Sequence, residues 1–153
     1  MVSHPIFSFF PDKKLEIFND ICIEIMNHIA SLQKNASVIN YLDFYTSLAF
    51  LAVKNNYVKP TLSNNLILDI FNGRHPVVEQ LLPKTDKFIP NNTCIDSNNN
   101  QIHLLTGPNM AGKSTYLRQV GLIVIMAQMG SFVPASKANI GIVDRLFTRV
   151  GAS

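Results

Sequence analysis

Eight consecutive residues carry the strongest chemical signal in the sequence: Gly107-Pro108-Asn109-Met110-Ala111-Gly112-Lys113-Ser114. They satisfy G-x-x-x-x-G-K-[ST], the general pattern of a phosphate-binding loop, or Walker A motif. Glycines let the backbone curl so that successive N–H groups point inward at phosphate oxygens. The N-terminus of a following helix adds partial positive charge at the same place. Lys113 is long enough to lay its ammonium between terminal phosphates, and the Ser114 hydroxyl is a hard oxygen ligand of the kind Mg²⁺ prefers. Four fixed positions of this kind match by chance in on the order of 0.5% of chains of this length, so context must decide.

The motif needs a buried strand before it and a helix after it. Gln101-Ile102-His103-Leu104-Leu105-Thr106 reads as the strand, and residues 114–129 read as the helix, with Leu117, Val120, Val124 and Ala127 on one face and Gly130 as its stop. Thr93 to Asp96 is a further strand candidate. The polar run Ser97-Asn98-Asn99-Asn100 joins it to Gln101–Thr106, so the two are expected to pair as a hairpin. Leu66-Ile67-Leu68-Asp69-Ile70-Phe71 forms another short apolar run, closed by Asn72-Gly73 as a turn.

Upstream of Pro60 the period changes. Leu15, Phe18, Cys22, Ile25, Ile29 and Leu32 recur at steps of three and four, one face of a helix with Asp12 as its expected N-cap. Burying all six against a partner surface would contribute on the order of 10 kcal/mol before entropy. Val38, Leu42, Tyr45, Ala49 and Ala52 repeat the rhythm in a second helix, which Asn55-Asn56 and Pro60 stop. The expected division is therefore a helical segment over 1–60 and an α/β segment over 61–153.

Composition narrows the class. The 153 residues are 47% hydrophobic and 15% charged, too apolar for a disordered chain, and their length suits about one domain. Thirteen Lys and Arg against ten Asp and Glu give a net charge of +3, too small an excess to read as a nucleic-acid footprint. Cys22 and Cys94 stand far apart with no metal-ligand spacing, which points to reduced thiols. The N-terminus lacks the pattern of a signal peptide. The longest unbroken apolar run, Val120 to Ala127, is less than half a bilayer span, so no membrane segment is expected.

The stretch from Thr106 to Gln119 resembles the nucleotide-binding segment of the MutS family of DNA mismatch repair ATPases. The resemblance extends upstream through Gly73-Arg74-His75-Pro76-Val77-Val78-Glu79 and Phe88-Ile89-Pro90-Asn91. Downstream it continues through Gly130-Ser131-Phe132-Val133-Pro134-Ala135 and residues 140–152. Leu42-Asp43, Ser47-Leu48-Ala49, Tyr57 and Pro60 resemble the end of the family's helical core, the lever between DNA clamp and ATPase. The resemblance implies a partial P-loop NTPase, ABC-like ATPase domain of α/β class, preceded by an all-helical lever segment. It implies ATP and Mg²⁺ as cofactors, held by Gly107, Pro108, Asn109, Met110, Ala111, Gly112, Lys113, Ser114 and Thr115, with Ser114 on the metal and Phe88 stacked on adenine. His75 is expected to serve as a structural hydrogen-bonding group. Ala111 stands where many relatives have glycine, and a negative φ is expected there.

For the parent protein the resemblance implies mismatched double-stranded DNA as partner, a MutS-type homodimer, MutL, and a location in the bacterial cytosol or nucleoid. The family's second acidic strand, which organises Mg²⁺ and the attacking water, finds no counterpart among these residues. The 153 residues alone are therefore expected to bind nucleotide without turning it over, and to be marginal in stability. Two alternatives come from the same residues: a MutS-related anti-recombination ATPase, disfavoured by Met110 and Ser114, and a truncated, non-enzymatic binding module. An unrelated phosphate-loop ATPase, of a transporter or chromosome-maintenance subunit, would need the flanking matches to be accidental.

Overall fold

A computed structural model describes residues 9–83 and 85–148, with side chains from residue 13 onward. Among the described residues, four helices and four strands follow in the order α1 (Phe9–Asn27), α2 (Ile29–Asn55), β1 (Thr61–Ser63), β2 (Ile67–Gly73), α3 (Val78–Leu81), β3 (Asn91–Asp96), α4 (Lys113–Gln128) and β4 (Lys137–Gly141). The class is mixed α/β. Compact units divide after Tyr45, into Met1–Tyr45 and Thr46–Ser153.

In the first unit the expected helical periodicity is present but the expected burial is not. Asp12 lies inside α1 rather than in front of it, and the helical ladder breaks at His28, in the middle of the expected first stripe, before resuming at Ile29. Leu15, Phe18, Ile25, Ile29 and Leu32 are all at least half exposed, as are Val38, Leu42 and Tyr45. The apolar stripes of α1 and α2 therefore do not cover one another. Tyr45 stacks on Tyr41 at 6.4 Å between ring centroids and meets Phe44 edge-on at 5.5 Å, which covers part of that surface locally. By length and composition α2 is long and apolar enough to cross a membrane, although Lys34, Asn35, Asn40 and Asp43 interrupt its apolar runs.

The second unit is built on one sheet of order β1-β4-β2-β3, with β1 parallel to β4 and the other pairs antiparallel. Strand register sorts the side chains onto two faces. Ile140, Leu68, Ala138, Ile70, Thr93 and Ile95 share the face against which α4 lays Ile123, Val124 and Ala127; Val133 and Ala135 complete the core. Asp69, Asn139, Cys94, Lys137 and Phe71 fall on the opposite face. This alternation of buried and open positions is the pattern of an antiparallel sheet covered on one side.

Two expectations about this sheet fail. Asn72-Gly73 does not close β2 as a turn. The pairing shifts between Ile70 and Gly73, Asn72 adopts φ +49°, and the strand runs on past the irregularity, so the pair forms a bulge inside it. The backbone N–H of Asn72 is held by Asn92 Oδ1 at 2.8 Å, which replaces the lost ladder bond.

The expected hairpin forms its turn and not its return strand. Asp96 Oδ1 accepts the N–H groups of Asn98 and Asn99 at 2.7 and 2.6 Å, an Asx turn that also holds the Asp96 carboxyl below its ordinary range. Residues 101–108 then form no strand, Ile102 and Leu104 are each 86% exposed, and β3 pairs with β2 instead. Turn chemistry is local, whereas strand pairing depends on which surface a strand has to bury.

Close approach sets one position absolutely. A Cβ on Gly141 would lie 2.1 Å from the Asn65 carbonyl oxygen, which belongs to backbone and has nowhere to move. Gly141→Ala should destabilise the sheet unit by about 1–3 kcal/mol, as overpacking of a filled site does. Urea denaturation followed by far-UV circular dichroism checks this, and an unchanged midpoint would contradict the assigned contact.

Candidate nucleotide-phosphate site

The loop from Gly107 to Ser114 enters α4 through backbone conformations that restrict residue type. Gly107 has φ +144° and Gly112, the residue capping α4, has φ +85°, both in the region open to glycine. Met110 carries the one non-glycine strain of the loop, φ +65°, while Ala111 is absent from the positive-φ set, as expected from its side chain. Met110 is fully exposed, so its left-handed conformation is not imposed by packing of its side chain.

Gly112 has no side chain to cap α4, and no other side chain takes that role. The first-turn N–H groups therefore face outward with the positive end of the helix dipole behind them. Lys113 folds back across the loop, donating from Nζ to the carbonyl oxygens of Gly107 at 2.5 Å and Pro108 at 2.6 Å. Its ammonium thus sits on the first two carbonyls of the same loop. Ser114 is exposed beside it, and Thr115 is half-buried. An anion meeting this loop finds backbone donors, a helix N-terminus and a cation together, which is the chemistry that a phosphate chain requires. Among the described residues no cluster of three or more His, Cys, Asp and Glu could hold a metal ion.

Phe88 is half-buried in the segment leading into β3. No hydrogen bond or ring contact among the described residues joins it to the loop. The segment is nevertheless fixed: Asn91 Nδ2 donates to the Ile89 carbonyl at 3.1 Å, and Asn91 pairs with Gly73 in the sheet.

Several residues that the sequence did not single out hold these pieces in place. The buried face of α4 keeps Val120, Val124 and Ala127 of the expected stripe and also takes in Gln119 and Ile123, both fully buried, while Leu117 is exposed. Gln119 comes so close to β2 that a Cβ on Gly73 would lie 2.9 Å from its Nε2. Its amide oxygen and nitrogen have no partner in the structure. Thr93, 2% exposed on β3, meets the Tyr116 hydroxyl at 2.8 Å across the gap to α4. No local signal marks these residues, because each acts across elements far apart in sequence.

Arg74 ties the sheet to the end of α2. Its Nη2 donates to the Asn55 and Asn56 carbonyls at 3.0 and 3.2 Å, and its Nε donates to Glu79 Oε1 at 2.9 Å. A guanidinium at a helix C-terminus is favoured by the dipole, and here the pair with Glu79 orients it. Next in sequence, His75 is buried, and its Nδ1 accepts the backbone N–H groups of Val77 at 3.3 Å and Val78 at 3.2 Å. That is the structural role expected for it.

Burial pushes the His75 imidazole below its ordinary value of 6.5, and the positive charge of Arg118 acts in the same direction. The unfolded chain therefore takes up the proton more readily than the folded one. Stability contributed by neutral His75 is present above pH 6.5 and is lost as pH falls through the lower folded value. The unfolding midpoint should fall on acidification from that pH, and His75→Gln should remove this component. Equal slopes in both proteins would contradict the assignment.

Comparison with known proteins places these residues in a family. A family model described as MutS domain V matches residues 103–153. The chain is 54% identical over 138 residues to the DNA mismatch repair protein MutS of Clostridium perfringens, and 53% identical over 138 residues to that of Salinibacter ruber. It is also 53% identical over 142 residues to the protein of the same name in Clostridium botulinum. These alignments cover 90–93% of this chain, and the chain spans about 15% of the length of these relatives.

Proposed function

Because this chain belongs to the MutS family of DNA mismatch repair proteins, we propose that residues 107–115 bind the phosphates of ATP with Mg²⁺. The observation that carries the reading is the uncapped N-terminus of α4 behind Gly112, with the Lys113 ammonium laid over the loop carbonyls. On binding, Lys113 exchanges those two carbonyls for phosphate oxygens, a stronger charge-assisted pairing. The amides of the loop and the first turn of α4 take the remaining oxygens. Ser114 supplies one oxygen to the metal, and Phe88 offers an aromatic face to the adenine.

The relatives' name supports mismatch repair as the process. In this reading residues 1–60 are part of a helical lever, and residues 61–153 are the first part of a P-loop ATPase domain. The lever joins the ATPase to elements that hold mismatched DNA, in a dimeric protein of the cytosol that works with MutL. The joint on the ATPase side is Arg74, which directly follows β2 and grips the carbonyls of Asn55 and Asn56 at the end of α2.

A fluorescent ATP analogue titrated with Mg²⁺ tests the site. Lys113→Ala should weaken binding by about 10- to 100-fold, the range for a lost charge-assisted contact. Binding that is indifferent to Lys113 would overturn the assignment of this loop.

A further inference from the structure

Resting on the nucleotide reading, we infer that the Thr93–Tyr116 hydroxyl pair sets the spacing between the base-side segment and the phosphate loop, making Tyr116 and Thr93 positioning residues for the bound nucleotide. The pair bridges the two parts of the chain that a single nucleotide would have to touch at once. Tyr116 stands in the first turn of α4, three residues after Lys113, and its N–H already bonds to Gly112 at 2.9 Å. Thr93 stands on β3, two residues after Asn91, whose side chain holds the Ile89 carbonyl and so fixes the Phe88-Ile89-Pro90 approach.

The link is built to transmit position. Thr93 is 2% exposed, the hydroxyls are 2.8 Å apart, and the Tyr116 hydroxyl also reaches the Asn92 carbonyl at 3.5 Å. Asn92 is itself tied to β2 through the Asn72 N–H. On the other side Gln119, one helical turn beyond Tyr116, abuts Gly73, the strand partner of Asn91. The start of β3 is thus held against α4 at two points, one polar and one steric. The polar point lies nearer the loop.

A ligand that touches both subsites gains from their preset distance, since the second contact forms at high effective concentration. A ligand that touches only the loop gains nothing from it. Removing one hydroxyl should therefore separate two affinities that a general loss of stability would lower together.

The experiment is isothermal titration of the full 153-residue chain with Mg²⁺ and either ATP or inorganic tripolyphosphate. Tyr116→Phe and Thr93→Val should each weaken ATP about three- to tenfold, the size of one net hydrogen bond, while tripolyphosphate stays within about twofold. The double variant should be no weaker for ATP than the single ones, because both remove the same bond. Thr93→Ser, which keeps the hydroxyl, should retain wild-type discrimination. Unchanged ATP affinity in both single variants, or a parallel fall for tripolyphosphate, would overturn the inference while leaving a Lys113-dependent loop in place. Wild-type binding that does not depend on Lys113 would overturn the nucleotide reading and this inference with it.

Discussion

The structure depends on how closely α4 can approach the sheet. Gly73 has no side chain, and that absence lets Gln119 press against β2 and brings Tyr116 within hydrogen-bonding distance of Thr93. Once α4 is seated, Ile123, Val124 and Ala127 close over Ile70, Ala138 and Ile140, and the core is filled. The loop ahead of α4 inherits its place from this contact. Lys113 and Ser114 are positioned by a helix whose register is fixed one to two turns away, on a surface that has no chemistry of its own. The cost is a buried Gln119 amide with neither polar atom paired, an uncompensated desolvation that the packing around it must offset.

The parts legible in the sequence were those governed by local rules. Helix α4 and its stop at Gly130 follow from apolar period and a positive φ, here +90°. The loop from Gly107 to Ser114 was readable because two of its fixed positions are glycines at which the backbone takes positive φ. Strand β2 followed from its β-branched and aromatic run, and the turn after β3 followed from Asp96 and its asparagines. What the sequence could not give was pairing. Residues 101–106 have the composition of a strand, yet β3 takes β2 as its partner and Ile102 and Leu104 stay open. Strands β1 and β4 went unnoticed because Thr61–Ser63 and Lys137–Gly141 are only three and five residues long. They exist through the register they share with each other and with β2.

The helical segment teaches a related lesson. A three-four apolar period identifies a face without identifying what covers it, and the spacing that reads as core in α1 and α2 is surface among the described residues. At the end of α2 the situation reverses. Ala52 is buried, Asn56 turns the chain with φ +52°, and Arg74 receives the last carbonyls. A helix exposed along most of its length is therefore anchored at its end to a strand that carries α4. The sequence did not hint at Arg74's reach, since the contacting residues lie 18 and 19 positions apart.

Amide hydrogen exchange of the 153-residue chain, with and without saturating Mg²⁺ and ATP, tests the central claim most directly. Backbone N–H groups that cradle phosphates must stop exchanging when the phosphates arrive. The account predicts strong nucleotide-dependent protection at residues 109–116, with a second protected patch at 91–93 where β3 is held to α4. Nucleotide-independent exchange across 109–116 would contradict it, whatever changes occurred elsewhere.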